Sequence, residues 1–285
     1  MRHPKMLAAC VAGLFAVAGC AEKPDGEETV ERAFQDVNVV DETNLSDVML
    51  TVADPNEAVS YFQRTLKSDP DRIDIQRGLA ISYVRAKRYT EGASAWKGVT
   101  KNPESTPDDK VSYADASIRN GDWATAEQVL DTIPPTVETF DRYRLEAMVA
   151  DANKEWKRAD SFYETSVGLT TQPAGVFNNW GYSKLTRGDY KGAEKLFGEA
   201  IKQDSTLFTA KNNMVLARAA QQNYSIPVVP MDQTERAQLE YTMALAAIKQ
   251  GDTAKGESLL RDAIDTHPQH FDPAVRALEA LRGAG

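Results

Sequence analysis

The stretch AGVFNNWGYSKLTRGDYKGAEKLFGEAIKQDS, residues 174–205, reads as two helices joined by one tight turn. Gly188-Asp189 supplies the turn: the glycine takes the left-handed conformation that ends the first helix, and the aspartate caps the second. Beyond it Ala193, Phe197 and Ala200 fall at i, i+4 and i+7, so they share one face. The small residue admits a neighbouring helix and the large one fills the gap beside it. Trp180-Gly181 marks the first helix, where glycine permits close approach of the second.

The same small-then-large pair recurs as Ala58/Phe62, Gly92/Trp96, Ala126/Leu130, Ala159/Tyr163 and Ala193/Phe197, at strides of 34, 34, 33 and 34, with Gly256/Leu260 after a longer gap. Gly121-Asp122 and Gly251-Asp252 repeat the turn, and Lys87-Arg88 and Lys154-Glu155 occupy it without glycine. An aromatic follows four of these turns: Tyr89, Trp123, Trp156 and Tyr190. Asp54-Pro55-Asn56-Glu57, Thr106-Pro107 and Asp272-Pro273 are helix starts, with a capping side chain before proline at the first helical position. A stride of about 34 residues is the period of the tetratricopeptide repeat. The chain resembles that repeat, which implies an all-α fold: a right-handed superhelical solenoid of antiparallel helix pairs. The pattern places repeats over 45–224 and a final repeat with a capping helix over 234–285. Aromatics at helical spacing usually serve packing, so Trp96, Trp123, Trp156 and Phe197 are expected in the core.

Between the two blocks lies residues 225–233, where Pro227 and Pro230 among β-branched neighbours forbid a helix and favour an extended segment. Two readings stay open: a filler that packs back on the solenoid, or one wall of a partner-binding groove.

The N-terminus carries an address. Arg2 and Lys5 precede the apolar run Met6 to Ala18, too short to span a bilayer and of signal-peptide form. The run ends in Val17-Ala18-Gly19-Cys20, which resembles the lipobox of bacterial lipoproteins. That resemblance implies cleavage of residues 1–19 and acylation of Cys20. Both cysteines of the chain lie within its first twenty residues, so no disulfide framework competes for the thiol. Two or more acyl chains hold a protein stably on a membrane. Ala21 follows the cysteine, where by resemblance to enterobacterial lipoproteins an aspartate favours the inner membrane; the expected location is the periplasmic face of the outer membrane. Residues 20–44 are acidic and irregular and read as a flexible tether, with docking of Val30 to Val40 on the first repeat as the alternative.

Charge and chemistry narrow the function. Loss of Arg2 and Lys5 takes the formal charge from −9 to −11, and no basic stripe interleaves with aromatics, which excludes nucleic acid as a partner. His267 and His270 lack further converging ligands, so no metal is implied. No phosphate loop, nucleophile elbow or histidine triad can be assembled, and no cofactor is implied. The chain reads as non-enzymatic, its many carboxylates as solvated helix faces.

The candidate site is a groove along the first helices. Asn178-Asn179 and Asn212-Asn213 are 34 residues apart and stack on adjacent first helices. Their side chains can donate and accept toward a bound backbone, or merely satisfy neighbouring groups. Tyr182 and Leu216 lie one turn beyond, and Tyr241 and Leu245 hold the corresponding places in the last unit. Together they form a polar and apolar groove suited to a peptide segment.

Asp69-Pro70-Asp71-Arg72 leading into Arg77-Gly78-Leu79-Ala80, then Thr234-Glu235-Arg236-Ala237-Gln238 and Asp265-Thr266-His267-Pro268-Gln269-His270-Phe271, make the chain similar to the TadD family. These are tetratricopeptide lipoproteins of the tight-adherence (Flp) pilus machinery. The resemblance implies a pilotin-like assembly factor whose protein partner is the pilus secretin or another assembly component. Cys20 alone carries over as a functional residue. The competing class is a general envelope scaffold for outer-membrane protein or cell-wall synthase assembly.

Overall fold

The computed structural model describes residues 45–283, so the signal segment, Cys20 and the tether lie outside the described residues. Contacts divide the chain into a unit ending at Asp54, helical over 45–51 where described, and a second unit from Pro55 onward. Among the described residues there is no strand, and no helix is long and apolar enough to cross a membrane.

The second unit is a tetratricopeptide-repeat solenoid. It opens with α1 (Pro55–Ser68), which buries Ala58 and Phe62. Four helix pairs follow: α2 (Ile73–Arg85) with α3 (Tyr89–Val99), α4 (Pro107–Arg119) with α5 (Trp123–Asp131), α6 (Phe140–Ala152) with α7 (Trp156–Gly168), and α8 (Ala174–Thr186) with α9 (Tyr190–Gln203). Then come the unpaired first helix α10 (Phe208–Ala220), the pair α11 (Gln233–Lys249) and α12 (Thr253–Thr266), and the terminal α13 (Asp272–Gly283). Each helix packs on its successor, which is how a solenoid grows its core.

One turn recurs six times. Lys87, Gly121, Lys154, Gly188, Gln222 and Gly251 all adopt a left-handed backbone, with φ between 59° and 90°. The residue after each returns its amide five positions back, as Asp122 to the Ser117 carbonyl and Glu155 to Ala150, satisfying carbonyls the helix end leaves free. Asp122, Asp189 and Asp252 then accept the amides of Thr125, Gly192 and Lys255 and cap the second helices. Thr106 and Asp109 form a capping box at the start of α4.

The small-then-large pairs are buried as their spacing requires; Phe197 and Leu260 are fully enclosed. Each such side chain contributes about 1.5–3 kcal/mol. A Cβ on Gly181 would stand 2.7 Å from the Phe197 ring, so this position on α8 admits no side chain.

The extended segment after α10 packs back on the array. Tyr224, Ile226 and Met231 join the core of the last pair and Val229 the core between α9 and α10, while Val228 is fully exposed. α11 begins at Gln233, the last residue of the expected insertion, behind an Asp232–Glu235 capping box.

The expectation of solvated carboxylates needs correction. Asp109, Glu146 and Glu240 are buried, each beside an arginine: Arg77 at 2.7 Å, Arg142 at 3.0 Å and Arg236 at 2.9 Å. Close stacking of helices leaves parts of their polar faces dry, and a dry charge persists only when paired.

Candidate functional site

Side chains that recur once per repeat on the first helices form a row across the array. One row runs Ile81, Asp115, Met148, Tyr182, Leu216, Leu245, from α2, α4, α6, α8, α10 and α11. Tyr182 and Leu245 are exposed and Leu216 half-buried. Ile81 and Met148 lean on the cores beneath them, so the part of the row open to solvent is Tyr182 and Leu245, large side chains of the kind that mark binding surfaces.

The row deepens where α6 meets α8. There Trp123, Met148, Asp151, Trp156, Asn179 and Tyr182 line an apolar cavity of about 330 Å³. Trp123 and Trp156 are therefore corrected from core to cavity wall: Trp123 is 37% exposed and Trp156 half-buried, whereas Trp96 and Phe197 are core as expected. The reason lies in their position. Each is the first residue of a second helix, immediately after the turn, and side chains lean toward the helix N-terminus. With no preceding turn to cover, they project past the helix end into the space between first helices.

Asp151, in the last turn of α6, sits in this cavity. One oxygen accepts Tyr163 Oη at 2.8 Å and the other Ser183 Oγ at 2.6 Å. Burial pushes its carboxyl above the usual carboxylate range, against the two hydroxyl bonds and the field of Arg187 that pull it down. The cations on α8 are engaged elsewhere. Lys184 and Arg187 both bind Asp160, at 3.0 Å and 2.6 Å, and Trp180 donates its Nε1 to the same carboxylate. Burial drives the Asp160 carboxyl upward, yet those three donors outweigh it and leave it below its ordinary value. Arg187 also lies over the Trp156 ring, 5.6 Å from its centroid. Burial, and after it the neighbouring Asp151 carboxylate, makes Tyr163 harder to ionise.

The other sequence-derived site residues fall into two groups. Asn179 and Tyr182 line the cavity. Asn213, buried on α10, donates to Asn178 at 3.1 Å, and Asn212 accepts from Thr242 Oγ1 of α11 at 2.9 Å. Those three asparagines bridge neighbouring first helices. Beside them Lys211, 2% exposed, bonds Glu235 of α11 at 2.7 Å. Tyr241 packs edge-on against Phe271, their centroids 5.5 Å apart, in the core of the last pair. A second hollow between α2, α4 and α6 holds Asp115, Asp141 and Arg144, whose charges pair with one another. His267 stacks on Phe271 and accepts the Gln269 amide at Nδ1, 3.1 Å away.

Comparison with known proteins agrees with the repeat. The tetratricopeptide-repeat family profile matches residues 45–98. Among solved structures, the chain is similar to a chain of the APC/C hetero-tetramer, with a TM-score of 0.59 and 12% identity over 83% of this chain. It spans 48% of that chain. It is similar to a tetratricopeptide repeat protein from Parabacteroides merdae, with a TM-score of 0.55 and 10% identity, covering 90% of this chain and 98% of that one. It also resembles the C-terminal part of a repeat-containing protein from Cytophaga hutchinsonii, with a TM-score of 0.53 and 15% identity, covering 82% and 98%. At such identities the likeness is one of fold. No curated protein matches the sequence.

Proposed function

From the tetratricopeptide fold as premise, we propose that the chain is a protein-binding scaffold, anchored through acylated Cys20 to the periplasmic face of the outer membrane. There it assists assembly or localisation of the tight-adherence pilus machinery, with the secretin as partner. The observation that carries the binding role is the open cavity walled by Trp123, Trp156 and Tyr182, of which Trp123 and Tyr182 are exposed. An open apolar cavity of this kind, with a few polar groups in its lining, suits a segment of another protein. The membrane anchor is supported by Val17-Ala18-Gly19-Cys20 at the end of its apolar run. The pilus role is supported by the resemblance of residues 69–80, 234–238 and 265–271 to TadD proteins. Anchoring raises the local concentration of the groove at the membrane, so modest affinity for each segment suffices.

Crosslinked pull-down of the full chain from its native envelope, probed for the secretin, tests the proposal alongside a Trp123→Ala/Tyr182→Ala variant. Secretin recovery with the wild type and a loss of about tenfold or more in the variant, as for about 1.4 kcal/mol or more, is expected. Equal recovery from both sinks the cavity as the site. No secretin from the wild type sinks the pilus assignment. Acyl labelling of the chain but not of a Cys20→Ser variant is the expected result for the anchor.

A further inference from the structure

We infer that the cavity between α6 and α8 recognises a cationic side chain, a lysine or arginine presented by the partner segment. The inference rests on the reading of this face as the partner-binding surface and names what its deepest point selects. Three features converge. The walls are aromatic, with Trp123, Trp156 and Tyr182 around a space of about 330 Å³, ample for one long side chain. Aromatic faces attract a cation through their quadrupole, tryptophan most strongly. Arg187 already lies over Trp156, so this wall carries that contact within the protein itself.

The second feature is the carboxylate at the back. Asp151 accepts from the hydroxyls of Tyr163 and Ser183, and no cation stands within ion-pair distance among the described residues, since Lys184 and Arg187 are held by Asp160. The contrast between half-buried Asp151 and the buried carboxylates is direct: Asp109, Glu146 and Glu240 each have an arginine at 3.0 Å or less. The third feature is the helix end. Asp151 belongs to the last turn of α6, where the backbone dipole is negative and welcomes a positive charge. Burial holds the Asp151 carboxyl above its ordinary range, which is the state an incoming cation relieves. A lysine or arginine whose stem lies along Met148 and Tyr182 would bury methylenes and bring its head to Asp151. The chain's formal charge of −9 draws such segments toward it.

The test uses the full chain and four blocked peptides, acetyl-Gly-Ser-X-Ser-Gly-amide, with X lysine, arginine, norleucine or glutamate. Binding is read from the indole N–H resonances of Trp123 and Trp156 in a nitrogen–proton NMR titration. Lysine and arginine peptides should bind about tenfold or more tightly than norleucine, the ratio given by about 1.4 kcal/mol. The glutamate peptide should be weakest. Asp151→Asn should erase the preference over norleucine while leaving norleucine binding in place, and Trp123→Ala, at a rim position, should weaken the cationic peptides with an unchanged circular dichroism spectrum. Equal binding of lysine and norleucine by the wild type overturns the inference, as does the absence of any indole shift. If secretin capture depends on the cavity while the peptides show no charge preference, the inference fails and the scaffold role stands. If the charge preference holds and no secretin is captured, the pocket chemistry stands and the pilus partner falls.

Discussion

The seam between α10 and α11 and the cavity between α6 and α8 present homologous first-helix positions, yet they are finished in opposite ways. At the seam Lys211 pairs with Glu235 and Asn212 with Thr242, and on the other side of α10 Asn213 pairs with Asn178 of α8. In the cavity the apolar walls are open and the carboxylate at their back is served only by hydroxyls. Paired polar groups fix the register of stacked helices. An open wall with an unpaired charge is a place still waiting for its complement. The seam should therefore answer to substitution in stability, and the cavity in binding.

Glu235→Ala should show the largest stability effect. It strands Lys211, 2% exposed, without its counter-charge and opens the Asp232–Glu235 capping box at the start of α11. Removing one partner of a buried pair costs about 3–5 kcal/mol, and the loss should appear as a lowered urea midpoint. Lys211→Met is the sharpening control: it leaves the unpaired charge on Glu235, which at 23% exposure is reached by water, so it should cost less than Glu235→Ala. If the two variants unfold at the same denaturant concentration, the pair does not organise the seam. Pull-down with Lys211→Met should match the wild type.

Gly181→Ala comes next. The new methyl would lie 2.7 Å from Phe197, whose ring is enclosed between α8 and α9 with nowhere to retreat. Overpacking of this kind costs about 1–3 kcal/mol. Because Gly181 neighbours Tyr182 on α8, the variant also asks how firmly the cavity wall depends on the core behind it. The expectation is a lowered melting temperature with cavity binding retained below the transition.

These two substitutions bear on what was legible in the chain. Gly181 and Phe197 were readable because close helix approach demands a missing side chain opposite a large one, and a fixed stride repeats the demand. The glycine turns were readable for a similar reason, since a left-handed residue favours glycine. Gln222 takes the same conformation without the glycine signal, and its turn was not anticipated. Trp123 and Trp156 were misplaced because helical periodicity reports a stripe and not the distance from the helix end. At the first position a side chain on the right stripe still projects past the helix. Asp151 was invisible for another reason. Its significance is the absence of a cation in three dimensions, and sequence spacing cannot show which helix Arg187 turns toward. The asparagine pairs were found by their 34-residue spacing, but spacing does not distinguish a side chain facing a ligand from one facing the next helix; Asn179 lines the cavity and Asn213 bridges.

The smallest expected stability effect belongs to Asp151→Asn, and its sign depends on pH. The folded-state pKa of Asp151 is raised by burial, so between the ordinary aspartate value of about 3.9 and the raised one the native state binds more protons than the unfolded chain. Stability contributed by this site therefore falls as pH rises through that window and stays low at neutrality. Asparagine can still accept from Ser183 or Tyr163 and carries no charge to desolvate. The variant should gain on the wild type as pH rises above about 4, with the gap closing under acid. Asp109 gives the opposite slope. Burial raises it, but the Arg77 ion pair and the Thr106 amide more than compensate, leaving its pKa lowered. Its contribution is present above about pH 4 and is lost as pH falls through the depressed value. Urea denaturation of Asp151→Asn and Asp109→Asn across pH separates the two cases. Parallel slopes would mean that Asp151 is already neutralised within the fold, which would remove the reason for the cavity to prefer a cation.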